Sequence, residues 1–335
     1  MPSVPEPVVL LLTHSRDVFT IDRVAEGLRR RGARPVRMDT DRFPEEARLS
    51  LLDTGAGPRF LLDTGQGTVD VSQPEAVWTR SFWPPKWTEE LDPQYRAACA
   101  SQAREMLAGF WAGLAPRRWI SRPDAAVASA NKLLQHAAAR EVGLAVPRTL
   151  VTNDAEEARR FFDRVDGRMV AKMLHPLSMS MGRSPETVYT SDVTPDMLDE
   201  LDSLRFAPMI FQEKVDKEVE LRVKYVCGRL FTGAIDASGT SSGQTDWRRA
   251  EVAESPWRHD RVPAEVARRM RRLMARLGLA AGAFDFIRTP AGEHVFLEVN
   301  PLGEWGMLER DLGLPISEAI ASALLGEETT RIEAE

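Results

Sequence analysis

A three-lobed α/β fold is predicted by three features of the sequence. The chain opens with a strand–helix–strand pattern whose first strand, Val8-Val9-Leu10-Leu11-Leu12, is continuously apolar. Strand patterns then alternate with helical ones, and near the end two apolar strands flank a turn at Ala291-Gly292. A length of 335 residues suits two domains, or a pair with a small insert.

The first strand lacks polar alternation and therefore reads as buried on both faces, as in a parallel sheet. From Asp17 to Arg31 the residues Val18, Ile21, Val24, Ala25 and Leu28 recur at helical spacing, with Gly32 as the stop. Pro35-Val36-Arg37-Met38 resumes a strand that ends at Asp39-Thr40-Asp41. The turn Thr13-His14-Ser15-Arg16 contains no GxGxxG, which excludes a dinucleotide fingerprint at the place it requires. Residues 49 to 78 predict short strands with the turns Asp53-Thr54-Gly55 and Asp63-Thr64-Gly65. Residues 91 to 114 predict a helix, and Pro116 closes the first region. Between them, Trp78, Trp83, Trp87 and Pro84-Pro85 mark a loop with no role legible from sequence.

A second unit starts near Trp119. It holds a helix from Asn131 to Val142, a strand at Pro147–Val151, a helix at Ala155–Val165 and a strand at Arg168–Leu174. The third begins with the strand Met209–Val215 and continues through Leu221–Val226 and Arg229–Ile235. A helix from Pro263 to Leu277, the hairpin Ala283–Val299 and a helix from Ile316 to Leu325 complete it. The expected domains are 1–118, 119–207 and 208–330.

A formal charge of -6 argues against a protein built mainly to hold nucleic acid. Cys99 and Cys227 form no CxxC pair, which excludes a disulfide scaffold and fits a reducing compartment. No signal-peptide pattern and no membrane-length apolar run is present, so a soluble cytoplasmic protein is expected.

The sharpest chemical signal is the hairpin Phe284-Asp285-Phe286-Ile287 with Phe296-Leu297-Glu298-Val299-Asn300-Pro301. A turn centred near Ala291-Gly292 places Asp285 opposite Glu298, and Asn300 shares their face. Like charges so placed repel, so something must neutralise them. Two carboxylates and an amide suit Mg²⁺; the competing reading is a solvated acidic edge. Lys172 lies mid-strand, where an ammonium needs an anion, and Lys132 lies at a helix start. Together they read as a triphosphate clamp. The loop His175 to Ser184 is flexible enough to fold over phosphates, but no GxxxxGK[ST] occurs and a P-loop is excluded. The strand Ile210-Phe211-Gln212-Glu213-Lys214-Val215 runs into a polar hinge suited to a purine edge. Glu220 and Arg222 share the face of the next strand, suited to ribose hydroxyls and phosphate oxygens or to a plain ion pair. Arginines between Arg261 and Arg276 form either a solvated basic face or a surface for an acidic peptide. Ser238 to Gly243, before Asp246-Trp247-Arg248, reads as a mobile loop. No convincing Ser/His/Asp or Cys/His nucleophile set is found.

In order, helix-start lysine, strand lysine, loop, hinge, ExR strand and D…ExN hairpin resemble the ATP-grasp superfamily over residues 119 to 326. Leu12-Thr13-His14-Ser15, Met38 to Pro44, Asp246-Trp247-Arg248 and Leu297 to Trp305 are similar to the microviridin-type graspetide ligases, over nearly the whole chain. That resemblance implies an ATP-grasp fold: a Rossmann-like N-terminal lobe before two α+β lobes that close on ATP. It implies that Lys132 and Lys172 hold phosphates, and that the Gln212-Glu213-Lys214-Val215 hinge meets adenine. Glu220 would hold ribose, Asp285, Glu298 and Asn300 two Mg²⁺ ions, and Arg222, with Lys172, the transferring phosphoryl group. Arg183, Asp246 and Arg248 would face the substrate. The implied activity is ATP-dependent macrocyclisation of a precursor peptide with a leader and a Thr/Glu/Asp-rich core. Asp or Glu carboxylates become acyl phosphates, attacked by Thr or Ser hydroxyls (ester, favoured) or Lys amines (amide). A homodimer is implied, with no nucleic acid and no membrane. Another ATP-grasp carboxylate–amine ligase, and a catalytically silent peptide-binding module, are the alternatives.

Overall fold

The computed structural model describes residues 6–53, 55, 57–114, 116, 118–174, 190–236 and 257–327. The sequence-assigned substrate residues Arg183, Asp246 and Arg248, and the loop after Lys172, lie outside them.

Strand β1 (Val8–Thr13) is buried from Val9 onward, and a strand with both faces covered has to be central. Helix α1 (Thr20–Arg30) returns the chain so that β2 (Arg34–Asp39) pairs parallel to β1, with Leu10 opposite Val36. An antiparallel meander follows: β3 (Arg48–Asp53), β4 (Pro58–Asp63) and β5 (Thr68–Asp70). The chain then re-enters the first sheet as β6 (Ala76–Thr79). After α2 (Arg96–Gly113), β7 (Arg118–Ile120) completes the parallel order β2-β1-β6-β7. Helix α1 starts three residues later than its apolar spacing predicts. Asp17 stays ahead of the helix, accepting the Thr20 hydroxyl at 2.7 Å, the Thr13 hydroxyl at 2.8 Å and the Ile21 N–H at 3.4 Å. Helix α2 packs Phe110 against Phe60 with ring centroids 5.2 Å apart. Gly113 allows that approach, since a Cβ there would lie 2.3 Å from the Phe60 ring.

Helices α3 (Pro123–Ser129) and α4 (Lys132–Glu141) lead into a second sheet. Its strands are β8 (Thr149–Thr152), β9 (Met169–Lys172), β10 (Ser191–Asp192) and β11 (Met209–Glu213), with α5 (Ala155–Arg164) between the first two. The order is β10-β9-β11-β8. Strand β11, which the sequence reading puts at the head of the third unit, is thus hydrogen-bonded between two strands of the second. Burial explains it: Phe211 joins Phe161, Met169 and Leu204 in one core.

The third sheet comprises β12 (Val219–Val226), β13 (Arg229–Ile235), β14 (Trp257–His259), β15 (Ala281–Arg288) and β16 (His294–Asn300). Their order is β14-β13-β12-β15-β16, all antiparallel. Helix α6 (Ala264–Arg276) covers one face with Met270, Leu273 and Met274 against Phe284, Phe286 and Phe296. The chain ends with α7 (Gly306–Leu312) and α8 (Ile316–Leu325). Helix α8 lies between the third sheet and the first lobe, where Ile316, Ile320 and Leu324 share one core with Ile21, Val24 and Leu28 and with Val226 and Ala281.

Edge strand β16 presents backbone groups that need partners, and α4 supplies them. Gln135 accepts the Val299 N–H at 2.9 Å and donates to the Val299 carbonyl at 2.7 Å. His136 Nε2 lies 2.8 Å from the Leu297 carbonyl. Replacing Gln135 with Leu would leave these buried groups unmet, at roughly 1–3 kcal/mol each. Urea unfolding of Gln135→Leu is therefore expected to show a loss of about 2–4 kcal/mol; a loss below about 0.5 kcal/mol would remove α4 as the anchor of β16.

Candidate active site

Alternation along β12, β15 and β16 sends Glu220, Arg222, Asp285, Glu298 and Asn300 to the face opposite the phenylalanine core. Asp285 pairs directly with Glu298, as the turn position predicts, but by a less direct route. Near the turn Arg288 faces His294, a register that would set Asp285 against Leu297. A bulge in the pairing at Asp285/Phe286 advances β16 by one residue and turns Glu298 and Asn300 to the site face.

Among the described residues, Arg222 and Lys132 supply neutralisation that this crowding demands. Arg222 Nη1 donates to both Asp285 oxygens at 2.7 and 2.8 Å, while Nη2 donates to the Glu304 carbonyl at 3.0 Å. Lys132, on the first turn of α4, meets Glu298 at 2.7 Å. Asn131 caps that helix by accepting the Leu133 and Leu134 N–H groups at 3.0 and 3.2 Å. Two carboxylates and an exposed amide on one face are the hard oxygen donors that Mg²⁺ takes. Among the described residues no three carboxylate, imidazole or thiol groups form a closed metal cage. A divalent ion here would complete its shell with water and phosphate.

Across a narrow cleft stands the second sheet. Lys172 Nζ donates to Gln212 Oε1 at 2.7 Å, and Gln212 donates in turn to Thr149 Oγ1 at 3.0 Å. Lys132, Lys172, Gln212 and Glu298 line this cleft together, with His136, Val151, Ile210 and Leu297 as its less polar walls. Burial lowers the His136 pKa, so its ring is neutral and Nε2 donates to Leu297.

The hinge follows directly. Glu213, Lys214 and Val215 line a neighbouring cleft with Arg148 and Arg168. Arg148 holds the Glu213 carboxylate at 2.9 and 3.1 Å and keeps its pKa below the usual range. The Glu213 side chain is thereby committed. The Val215 N–H donates to nothing among the described residues, which suits an acceptor on a heterocycle. Glu220 is paired with Lys217, which lies before the strand, and Arg222 with Asp285 on the neighbouring strand, and β12 lies between β13 and β15, away from either edge of its sheet.

Sequence reasoning missed how the first lobe is tied to this face. Arg80 is buried and donates to the Leu302 carbonyl at 2.9 Å, to the Thr20 hydroxyl at 3.1 Å and to the Glu304 carboxylate. The loop after Asn300 is thereby clamped to the first lobe, and its Glu304 carbonyl receives Arg222. The available signal was a charged residue directly after the buried strand β6. The Thr13-His14-Ser15 and Asp39-Thr40-Asp41 segments also meet. Asp41 accepts the Ser15 N–H at 2.8 Å and hydroxyl at 2.7 Å, and pairs with Lys86 at 2.6 Å. His14 stacks on Trp83 at 3.9 Å, which gives that loop a structural partner. The arginines of α6 are largely satisfied locally: Arg268 and Arg269 by Glu265, Arg276 by Glu141, and Arg271 by the Gly228 carbonyl.

Burial alone would raise the Asp41 carboxyl, but Lys86 and Ser15 outweigh it and hold the pKa at about 2, against an ordinary 3.8. A depressed carboxyl contributes stability above the unfolded value, lost as pH falls through the folded one. Lys86→Met is expected to move the Asp41 titration upward and to destabilise the protein near neutral pH. The two proteins should converge at the acid limit, below pH about 2. Carboxyl-carbon NMR with urea unfolding across pH checks this; an unmoved Asp41 titration refutes it.

Residues 8–126 match the family model of the MvdD pre-ATP grasp domain. No curated protein matches. Among solved structures, the macrocyclase MdnB from Microcystis aeruginosa MRC is 47% identical, with 96% of this chain and 99% of that chain covered and a TM-score of 0.81. MdnC from the same organism, bound with precursor peptide MdnA, is 32% identical over 95% and 99% of the two chains, with a TM-score of 0.85. A Chryseobacterium gregarium RiPP-associated ATP-grasp ligase, in complex with ADP and a leader and core peptide, is 29% identical over 96% and 97%, with a TM-score of 0.90. With this identity over nearly the full length of both chains, the chain belongs to the microviridin-type family of ATP-grasp macrocyclases.

Proposed function

We propose that this enzyme uses ATP to close side-chain rings in a ribosomally made precursor peptide. The observation that carries the reading is the site face, where Asp285, held by Arg222, opposes Glu298, held by Lys132, with Asn300 on the same face and Lys172 across the cleft from Glu298. A carboxylate is a poor electrophile, and this arrangement is suited to activating one by phosphorylation. Asp285, Glu298 and Asn300 would hold two Mg²⁺ ions, which when bound supply charge neutralisation to the phosphates. Lys132 and Lys172 then turn from Glu298 and Gln212 to phosphate oxygens. Gln212, Glu213, Lys214 and Val215 carry the hinge at the purine, and Glu220 takes the ribose.

Arg222 stabilises the phosphoryl group as it passes to an Asp or Glu carboxylate of the peptide. A Thr or Ser hydroxyl of the same peptide attacks the acyl phosphate, releasing phosphate and leaving an ester. A Lys amine in its place would leave an amide. The peptide partner carries a leader and a core rich in Thr, Glu and Asp, and Arg183, Asp246 and Arg248 are assigned to its contact. A homodimer in the cytoplasm completes the proposal. The free thiols of Cys99 and Cys227 suit a reducing compartment, and no described helix is long and apolar enough to cross a membrane.

Mass spectrometry of the co-encoded precursor with enzyme, ATP and Mg²⁺ tests this. The peptide is expected to lose one water per ring bond, with esters opened by mild base. Asp285→Asn and Glu298→Gln are each expected to slow ring closure by about 10²-fold or more. ATP turnover with an unchanged peptide mass would move the substrate to a different carboxylate–amine ligase reaction. Neither turnover nor water loss would leave a peptide-binding module.

A further inference from the structure

The site face carries one cation that the reaction as described does not use. Lys224 follows Arg222 by two residues on β12 and so shares its face. It is 4% exposed, yet among the described residues it makes no hydrogen bond and no ion pair. An unpaired ammonium in such a place is costly, and a methionine would pack there without the cost. The groups facing it are Arg80 from the first lobe, Arg222 on its own strand and Glu304 from the loop after Asn300. Burial first, then the two guanidiniums, push its pKa well below the ordinary value.

Its position has a direction. Along β12 the residues Glu220, Arg222 and Lys224 step away from the hinge at about 7 Å per pair. If Glu220 marks the ribose and Arg222 the transferring phosphoryl group, Lys224 marks the far side, where an in-line acceptor enters. Across the sheet Lys224 aligns with Ala283 and then Asn300, so the neighbouring side chain is a single methyl. Gly303 folds over that methyl, where a Cβ would lie 2.7 Å from the Ala283 Cβ and 3.1 Å from Arg222 Nη2. Arg222 is now held by Asp285, and Arg80 by Glu304. A metal ion on Asp285 would release Arg222 beside an amine that makes no hydrogen bond and no ion pair among the described residues.

We propose that Lys224 and Arg222 together form the subsite for one oxyanion, the Asp or Glu side-chain carboxylate of the peptide that is to be phosphorylated. This rests on the macrocyclase reading and names the residue that seats its acceptor. Lys224→Met in the full-length enzyme tests it, with a precursor already shown to be cyclised by the unsubstituted enzyme. The KM for the peptide is expected to rise about tenfold while the KM for ATP is unchanged. A peptide with its ring-forming carboxylates converted to amides, used as a competitive inhibitor, should bind both enzymes equally. The melting temperature should hold or rise, because an apolar side chain replaces a buried amine whose charged form burial disfavours.

Unchanged KM for the peptide overturns the proposal. A weakened KM for ATP instead assigns the oxyanion to the nucleotide phosphates and also overturns it. A fall in melting temperature with equal weakening of both peptides makes Lys224 a structural residue and does the same. Failure of the macrocyclase reading would look different, since the unsubstituted enzyme would then remove no water from the precursor.

Discussion

Two like charges held face to face on adjacent strands set the terms for the rest of this molecule. Asp285 and Glu298 repel one another unless cations or metal ions stand beside them. The two cations come from different places, Arg222 from the same sheet and Lys132 from a helix that follows the first lobe. In the structure the carboxylates hold the protein's own cations. In the nucleotide-bound state proposed above, the carboxylates would face metal ions and the cations phosphates, so that binding would exchange partners instead of stripping a buried charge of its counter-ion.

The same helix that carries Lys132 also solves a backbone problem. An edge strand that carries the carboxylate face needs its outer backbone groups met, yet the only backbone pairing there among the described residues is an isolated bridge from Ala145 to Val295, with the Phe296 N–H donating to the Ala145 carbonyl at 2.8 Å. Gln135 and His136 take that role one turn after Lys132. Lys132 and the carboxylate strand are therefore held by one rigid element, and their 2.7 Å contact follows from that geometry.

The first lobe reaches the chemistry through Arg80. Its guanidinium ties the end of β6 to the loop Leu302–Glu304, and that loop in turn positions Arg222. Helix α8 then locks the C-terminal segment back onto α1. Displacement of the first lobe would pull on the Arg222 carbonyl partner, which gives this lobe a part in the site without a ligand of its own.

The sequence alone determined the elements whose signals are local. Buried β1, the helical spacing of α1 and the hairpin that sets Asp285 opposite Glu298 are all short-range, since alternation and turn position act over a few residues. The candidate residues Lys132, Lys172, Gln212 and Glu298 were legible in the same way, as residue types misplaced for a plain core or surface. Other features depended on partners outside the element itself. The membership of β11 in the second sheet was decided by where Phe211 could be buried, and the docking of α8 by the apolar stripe of α1. The clamp from Gln135 and the burial of Lys224 beside Arg80 likewise appear once distant segments are packed. Hydrophobic periodicity states which side of an element must be covered; it does not state by what. Tertiary structure decided that, because burial is satisfied by any apolar neighbour while charges and backbone groups accept a specific one.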